Sequence, residues 1–224
     1  MLEIAEIPER VGAICSTIVE SQIPRGFGAL LPGVLAVSKG QSIDPRDLRR
    51  AKTDRVVALA WPAVREIAQA CLARDTARLI QRADSLVGLG QGLTPSGDDF
   101  LGGVLFCLHY LSRTYPGLPD IPDVARRVET YREQTNLISY TILRDLAAGH
   151  GMDSLHQFIE SVLAGQSLEQ AHRRIRQVVR LGHSTGWDLL TGVLTGLLVT
   201  FRSATNGHDP VGATYSWTGQ IAPT

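Results

Sequence analysis

Two ten-residue segments of this chain are near copies: SGDDFLGGVL at residues 96–105 and TGWDLLTGVL at 185–194 share six identities in ten aligned positions. Gly97 pairs with Gly186, Asp99 with Asp188 and Gly103 with Gly192, and a loop glycine precedes each copy, Gly92 in one and Gly182 in the other. On a helix, a residue and the one four positions on share a face, so each aspartate lies one turn from a glycine on the same side. A glycine there leaves the face open to close approach by another backbone or by a ligand. The repeat therefore predicts two buried helices that pack near Gly103 and Gly192, with local two-fold pseudosymmetry and both N-termini facing one cavity. Motif starts more than about 20 Å apart, most of the length of such a helix, are incompatible with that arrangement.

The first copy is entered through VGLGQGLTPSGDD (residues 87–99), with glycines at 88, 90 and 92. This order reads as a loop, a helix start and a buried helix. Thr94 is the expected N-cap and Pro95 the first helical residue, where a missing amide hydrogen does no harm. Glycine loops that feed helix starts bind anions through free amides and the helix dipole, which makes Gly90, Gly92, Thr94, Ser96 and Gly97 candidate ligand-binding residues. The spacing Gly92-x-x-x-x-Gly97 imitates a phosphate loop, but Asp98 stands where that loop needs lysine. A dinucleotide fingerprint fails as well, because its third glycine would fall on Leu93 or Pro95.

Carboxylates beside such a loop have two chemical uses. Asp98 and Asp99 are the candidate pair for a hard cation such as Mg²⁺ bridging to a phosphate; alternatively they accept hydrogen bonds from an amide or amino group whose anionic end the backbone holds. In a first helical turn acids also complement the helix dipole, an effect of about 0.3–1 kcal/mol each. Asp99, having a counterpart in Asp188, is the stronger candidate; both are assigned as catalytic candidates. His183, followed by Ser184, Thr185 and Gly186 at the second helix start, is the candidate acid or base. Thr135 and Ser139 have two readings: hydroxyls bonding back to helix carbonyls, or a polar lining of the same site.

The rest of the chain reads as helical. Apolar residues from Asp54 to Ser85 recur at helical spacing, with Pro62 starting or kinking the main helix and a break near Asp75. Asp123–Gly149 reads as a helix pair or one long helix, Asp153–Ala164 and Ser167–Leu181 as two more, and Pro119–Pro122 as a linker. Asp44-Pro45 heads a short basic helix over Arg46–Lys52. Between Ser21 and Gly40, prolines and glycines interrupt short apolar runs, which predicts turns and one or two short strands. The expected fold is mainly α, a helical domain around the two motif helices with a small β-containing N-terminal section, α+β being the alternative class. The expected divisions are 1–53, 54–205 and a tail at 206–224.

With 22 basic and 22 acidic residues, global charge draws the chain to neither nucleic acid nor an anionic membrane. Cys15, Cys71 and Cys107 are scattered in apolar surroundings and read as buried thiols. The start MLEIAEIPERVG lacks the basic and apolar regions of a signal peptide, and no run reaches the roughly 18 consecutive apolar residues of a membrane helix. A cytoplasmic location is expected.

GLGQGLTPSGDDFLGG, the later TNLIS and GHSTGWDLLTG together resemble the AllH-like family, formerly a domain of unknown function, over roughly residues 56–202. That family includes a subunit of bacterial oxamate carbamoyltransferase. The resemblance implies carbamoyl transfer between oxalurate and phosphate, giving oxamate and carbamoyl phosphate, in purine (allantoin) catabolism, with partner subunits or a homo-oligomer. It implies that Gly92, Thr94, Ser96, Gly97, Asp98 and Asp99 belong to the site with His183, Ser184, Gly186 and Asp188. The readings that compete are a non-catalytic metabolite-binding or assembly subunit and, more weakly, a Mg²⁺-dependent hydrolase.

Overall fold

The computed structural model describes residues 2, 6–21, 23–41, 54–73, 75–115 and 122–205. The described residues contain helices and turns and no strand. Helix α1 (Ile7–Ser21) is followed by a 3-10 turn (Gly26–Leu30) that runs into α2 (Leu31–Ser38). Then come α3 (Arg55–Ala73), α4 (Thr76–Ala83), α5 (Ser96–Thr114), α6 (Pro122–Glu129), a 3-10 turn (Thr130–Glu133), α7 (Leu137–Ala147), α8 (Asp153–Leu163), α9 (Leu168–Val178) and α10 (Thr185–Thr205). The fold is mainly α, as expected. The basic segment 46–52 and the tail 206–224 lie outside the described residues, as does most of the 119–122 linker.

The expected strands of the 21–40 region are helical instead. Pro32 occupies the first turn of α2, where its fixed φ suits a helix. Val34 and Val37 are buried around the helix, and a short apolar run of this kind fits a buried helix as well as a buried strand. Side chains of α1, the 3-10 turn and α2, among them Ile7, Ile14, Phe27 and Leu31, join the same buried cluster as Phe100, Leu189 and Leu197.

Local signals set most helix boundaries. Asp75 caps α4 by accepting from the Arg78 amide at 2.9 Å, which is the break expected there. Ser167 and Gln170 form a reciprocal capping box at the start of α9. Gly149, at φ +83°, ends the segment after α7 in a conformation that side chains resist. Pro62 lies inside α3 rather than at its start. By length and a mean hydropathy of 1.3, α3 could cross a membrane, although no membrane run stands out in the sequence; Val57, Val64, Ile67 and Cys71 on it are buried in the core.

Among the described residues, helices α5 and α10 make the most extensive helix pair. They cross where the sequence echo places them. A β-carbon on Gly103 would overlap the Leu189 carbonyl oxygen and stand 3.1 Å from the Gly192 Cα; one on Gly192 would overlap the Phe100 carbonyl and lie 2.9 Å from the Val104 nitrogen. The two backbones touch, and any side chain at either position would hold them apart. Gly103→Ala or Gly192→Ala should destabilise the fold by on the order of 1–3 kcal/mol or more through overpacking. Gly12→Ala in α1, where a β-carbon meets nothing within 4 Å, should stabilise it by up to about 1 kcal/mol; urea unfolding of the three variants checks both directions.

Candidate functional site

The crossing at Gly103 and Gly192 brings the two helix starts together. The Thr94 and Thr185 hydroxyls are 2.9 Å apart, in hydrogen-bond contact although 91 positions separate them in the chain. The loop behind each start is fitted to its helix in the same way. A β-carbon on Gly97 would overlap the Leu86 carbonyl, and one on Gly186 the Val178 carbonyl. The Gly97 amide donates to the Leu89 carbonyl at 2.9 Å and the Gly186 amide to the Leu181 carbonyl at 3.0 Å. The local two-fold inferred from sequence thus extends from the helix crossing to the loops.

One detail of the expected capping is corrected. Pro95 is the N-cap of α5, with ψ 139°, and the helix begins at Ser96. The Pro95 carbonyl accepts from the Asp98 and Asp99 amides at 3.0 and 3.1 Å. Thr94 lies one residue too early to cap and spends its hydroxyl on Thr185. The first-turn amides of Gly97, Asp98 and Asp99 are therefore met within the chain, so an anion cradle at this start cannot be built from them.

Asp98 and Asp99 do different things. Asp98 is buried and accepts from the Gly88 amide at 2.7 Å, the Thr135 hydroxyl at 2.5 Å and the Ser139 hydroxyl at 2.6 Å. Thr135 and Ser139 give their hydroxyls to Asp98 rather than to their own helix, and so tie the start of α7 to the glycine loop. Thr135 precedes the α7 N-cap, Asn136, and so lies outside the helix that carries Ser139. Hydroxyls that do bond back to helix carbonyls include Thr141 to Leu137 in α7 at 2.8 Å and, in α10, Thr191 to Trp187 and Thr195 to Thr191, each at 2.7 Å. Asp98 thus gives both oxygens to donors from the glycine loop and the start of α7, whereas Asp99 is coupled to Asp188.

Asp99 belongs with Asp188. Both carboxyls are almost completely enclosed, Asp99 at 2% exposure and Asp188 at 0%. Burial, then the charge of Asp188, pushes the Asp99 pKa from the ordinary 3.8 up to about 8; the Thr185 and Thr94 hydroxyls counter part of the rise and the Asp98 charge adds to it. Asp188 is pushed up to about 6, again first by burial, with the Phe27 amide and the Ser96 and Ser184 hydroxyls acting against the shift and the Asp54 charge with it. The hydroxyl partners are exchanged across the two-fold: Thr185 attends Asp99, and its counterpart Ser96 attends Asp188. One oxygen of each carboxyl, Oδ2, is buried without a hydrogen-bond partner. In a folded interior such atoms are uncommon and costly.

The structure also brings in residues the sequence reading missed. The Phe27 amide donates to Asp188 Oδ1 at 2.6 Å. Gly26, at φ +49°, lies so close that a β-carbon on it would overlap that same oxygen. The signal was present in the pair Gly26 and Gly28 around Phe27, but it read as a turn because nothing local links it to a helix starting at 185. The remaining candidates are placed as follows. Gly90, at φ +131°, packs against the Ser96 nitrogen. Gly92, at φ +96°, has open space beside it. His183 is exposed in the turn before α10. Among the described residues no group of three or more His, Cys, Asp or Glu is arranged to hold a metal ion.

Asp99 carries a testable consequence. The folded state keeps its proton up to about pH 8, whereas an unfolded aspartate releases it near 3.8. Between these limits the native state binds more protons, so stability is highest on the acid side and is lost as pH rises through about 8. The slope for one such proton is at most about 1.4 kcal/mol per pH unit. Asp188 adds to the loss only up to about pH 6. Chemical unfolding at pH 6, 7 and 8 should show falling stability in the natural chain and a flatter profile in Asp99→Asn.

Residues 86–197 match the family model described as oxamate carbamoyltransferase subunit AllH. That span is half of the chain and includes both motif copies, both loops and the Asp98 anchor on α7. No solved structure matches the chain.

Proposed function

The chain belongs to the AllH family of oxamate carbamoyltransferase subunits, and from that premise we propose that its Asp99–Asp188 site binds the carbamoyl or carboxylate group of a small metabolite in the transfer of a carbamoyl group. The observation that carries this reading is the enclosed pair of carboxyls, related by the local two-fold, each with a buried oxygen that has no hydrogen-bond partner. Burial and the charge of Asp188 favour a proton on Asp99, while the Phe27 amide and the Ser96 and Ser184 hydroxyls favour the charged form of Asp188. A neutral carboxyl donates through its hydroxyl and accepts through its carbonyl, which matches a primary amide that accepts through oxygen and donates through nitrogen. The ionised Asp188 takes a further amide hydrogen. Oxamate and carbamoyl phosphate each carry such an amide next to an anionic group. Oxalurate and phosphate, allantoin catabolism and a cytoplasmic setting complete the proposal, with other subunits as partners. His183, exposed at the mouth of α10, is the proposed acid or base.

A second reading is favoured by the 0% exposure of Asp188 and its 2.6 Å bond from the Phe27 amide. In it the motif is a structural joint, and the chain serves as a non-catalytic assembly or metabolite-binding subunit. Calorimetric titration of the purified chain with oxamate, oxalurate, carbamoyl phosphate and phosphate separates the two. At least one ligand should bind stoichiometrically and lose about tenfold or more in affinity in Asp99→Asn, a loss of roughly 1.4 kcal/mol or more. Binding that is unchanged in a folded Asp99→Asn protein would falsify the carbamoyl assignment.

A further inference from the structure

The charge at the crossing of α5 and α10 is unbalanced. The charges acting most strongly on the pair are negative: those of Asp188 and Asp98 on Asp99, and that of Asp54 on Asp188. Among the described residues neither Asp99 nor Asp188 takes part in an ion pair. Buried carboxylates are ordinarily paired or ligate a cation. Protonation of one member lowers the charge but leaves a buried hydroxyl in need of an acceptor, and neither Oδ2 has a hydrogen-bond partner.

Each of the two carboxyls also stands beside hydroxyl oxygens. The hydroxyls of Thr94 and Thr185 flank Asp99, and those of Ser96 and Ser184 flank Asp188. Carboxylate and hydroxyl oxygens without sulfur or imidazole suit hard divalent cations over zinc or copper. Mg²⁺ in particular is held by one or two carboxylates and keeps part of its water, so it does not require three acidic ligands.

We propose that Asp99 Oδ2 and Asp188 Oδ2, with the surrounding Thr94, Thr185, Ser96 and Ser184 hydroxyls, form a site for one hard divalent cation of the Mg²⁺ or Mn²⁺ type, held across the local two-fold. The pairing differs from the adjacent Asp98–Asp99 pair of the sequence reading: it joins one carboxyl from each motif copy. It also supplies a physical reason for the echo, since a cation shared by two helix starts needs an acid on each. A cation there displaces the proton on Asp99, so it competes with the direct amide contact of the carbamoyl reading, and its own test does not rest on that reading.

The test uses the full-length protein freed of metal with a chelator and titrated with MnCl₂, free Mn²⁺ being followed by electron paramagnetic resonance. One Mn²⁺ should bind per chain, be displaced by Mg²⁺ and raise the thermal midpoint. Asp99→Asn and Asp188→Asn should each weaken binding by about tenfold or more, while Asp84→Asn, at the ion pair with Arg127, should leave it unchanged. Absence of bound Mn²⁺ at millimolar concentration overturns the proposal, as does full binding in the folded Asp99→Asn/Asp188→Asn double variant. Should that variant fail to fold, infrared spectra of the natural chain labelled with ¹³C-aspartate decide: Mg²⁺ must shift the aspartate carboxylate bands, and unchanged spectra overturn the site. Failure of oxamate to bind does not bear on this result, because the metal alone is the probe.

Discussion

The backbone contact between α5 and α10 at Gly103 and Gly192 is the constraint on which the rest of the structure depends. Two helices approach this closely only when neither carries a β-carbon at the crossing. The approach brings Thr94 to Thr185, which sets Ser96 near Asp188 and Thr185 near Asp99. Without it, two charged residues near helix starts would remain solvated, as first-turn acids ordinarily are. With it, they are enclosed together, and their acidities move apart although their positions in the repeat are equivalent.

Around that contact the protein uses a second carboxylate as a fastening. Asp98 draws the Gly88 amide and the Thr135 and Ser139 hydroxyls onto one side chain, linking the glycine loop, α5 and the start of α7. Hydrogen bonds to a charged acceptor are among the stronger ones, about 1.5–3 kcal/mol each. On the α10 side the corresponding fastening is made differently, by the Phe27 amide on Asp188. The two-fold is therefore local: it holds at the helix crossing and the loop glycines and breaks at the groups that hold the carboxyls. This asymmetry gives Asp188 a backbone donor and leaves Asp99 with hydroxyls alone, consistent with the higher pKa of Asp99.

Much of this was legible in the chain. Ten aligned residues with glycine and aspartate in register predicted the crossing and its partners, because close helix packing has a strict local requirement, the absence of a side chain. The break near Asp75 and the helix start at Ser167 were legible too, and the structure shows each residue satisfying an amide three positions on. Adjacency misled where the requirement was not local. Asp98 and Asp99 looked like a pair because they are neighbours, yet consecutive helical residues point in directions about 100° apart, and here they face different elements. Thr94 looked like the cap because it is the better capping residue, but the Pro95 backbone already ends the loop. The 21–40 segment looked like strands because short apolar runs broken by glycine carry no period long enough to distinguish the two structures.

The sequence by itself determined that two glycine-bearing helices with matching acids would meet, since only glycine at those positions permits the contact and nothing else in the chain repeats it. Tertiary structure alone decided which acid does what. Acidity depends on burial and on neighbouring charge, and the neighbours that matter, Asp188 for Asp99 and Phe27 for Asp188, lie 89 and 161 positions away in the chain. Electrostatic partners act through space, and a linear pattern does not record that distance.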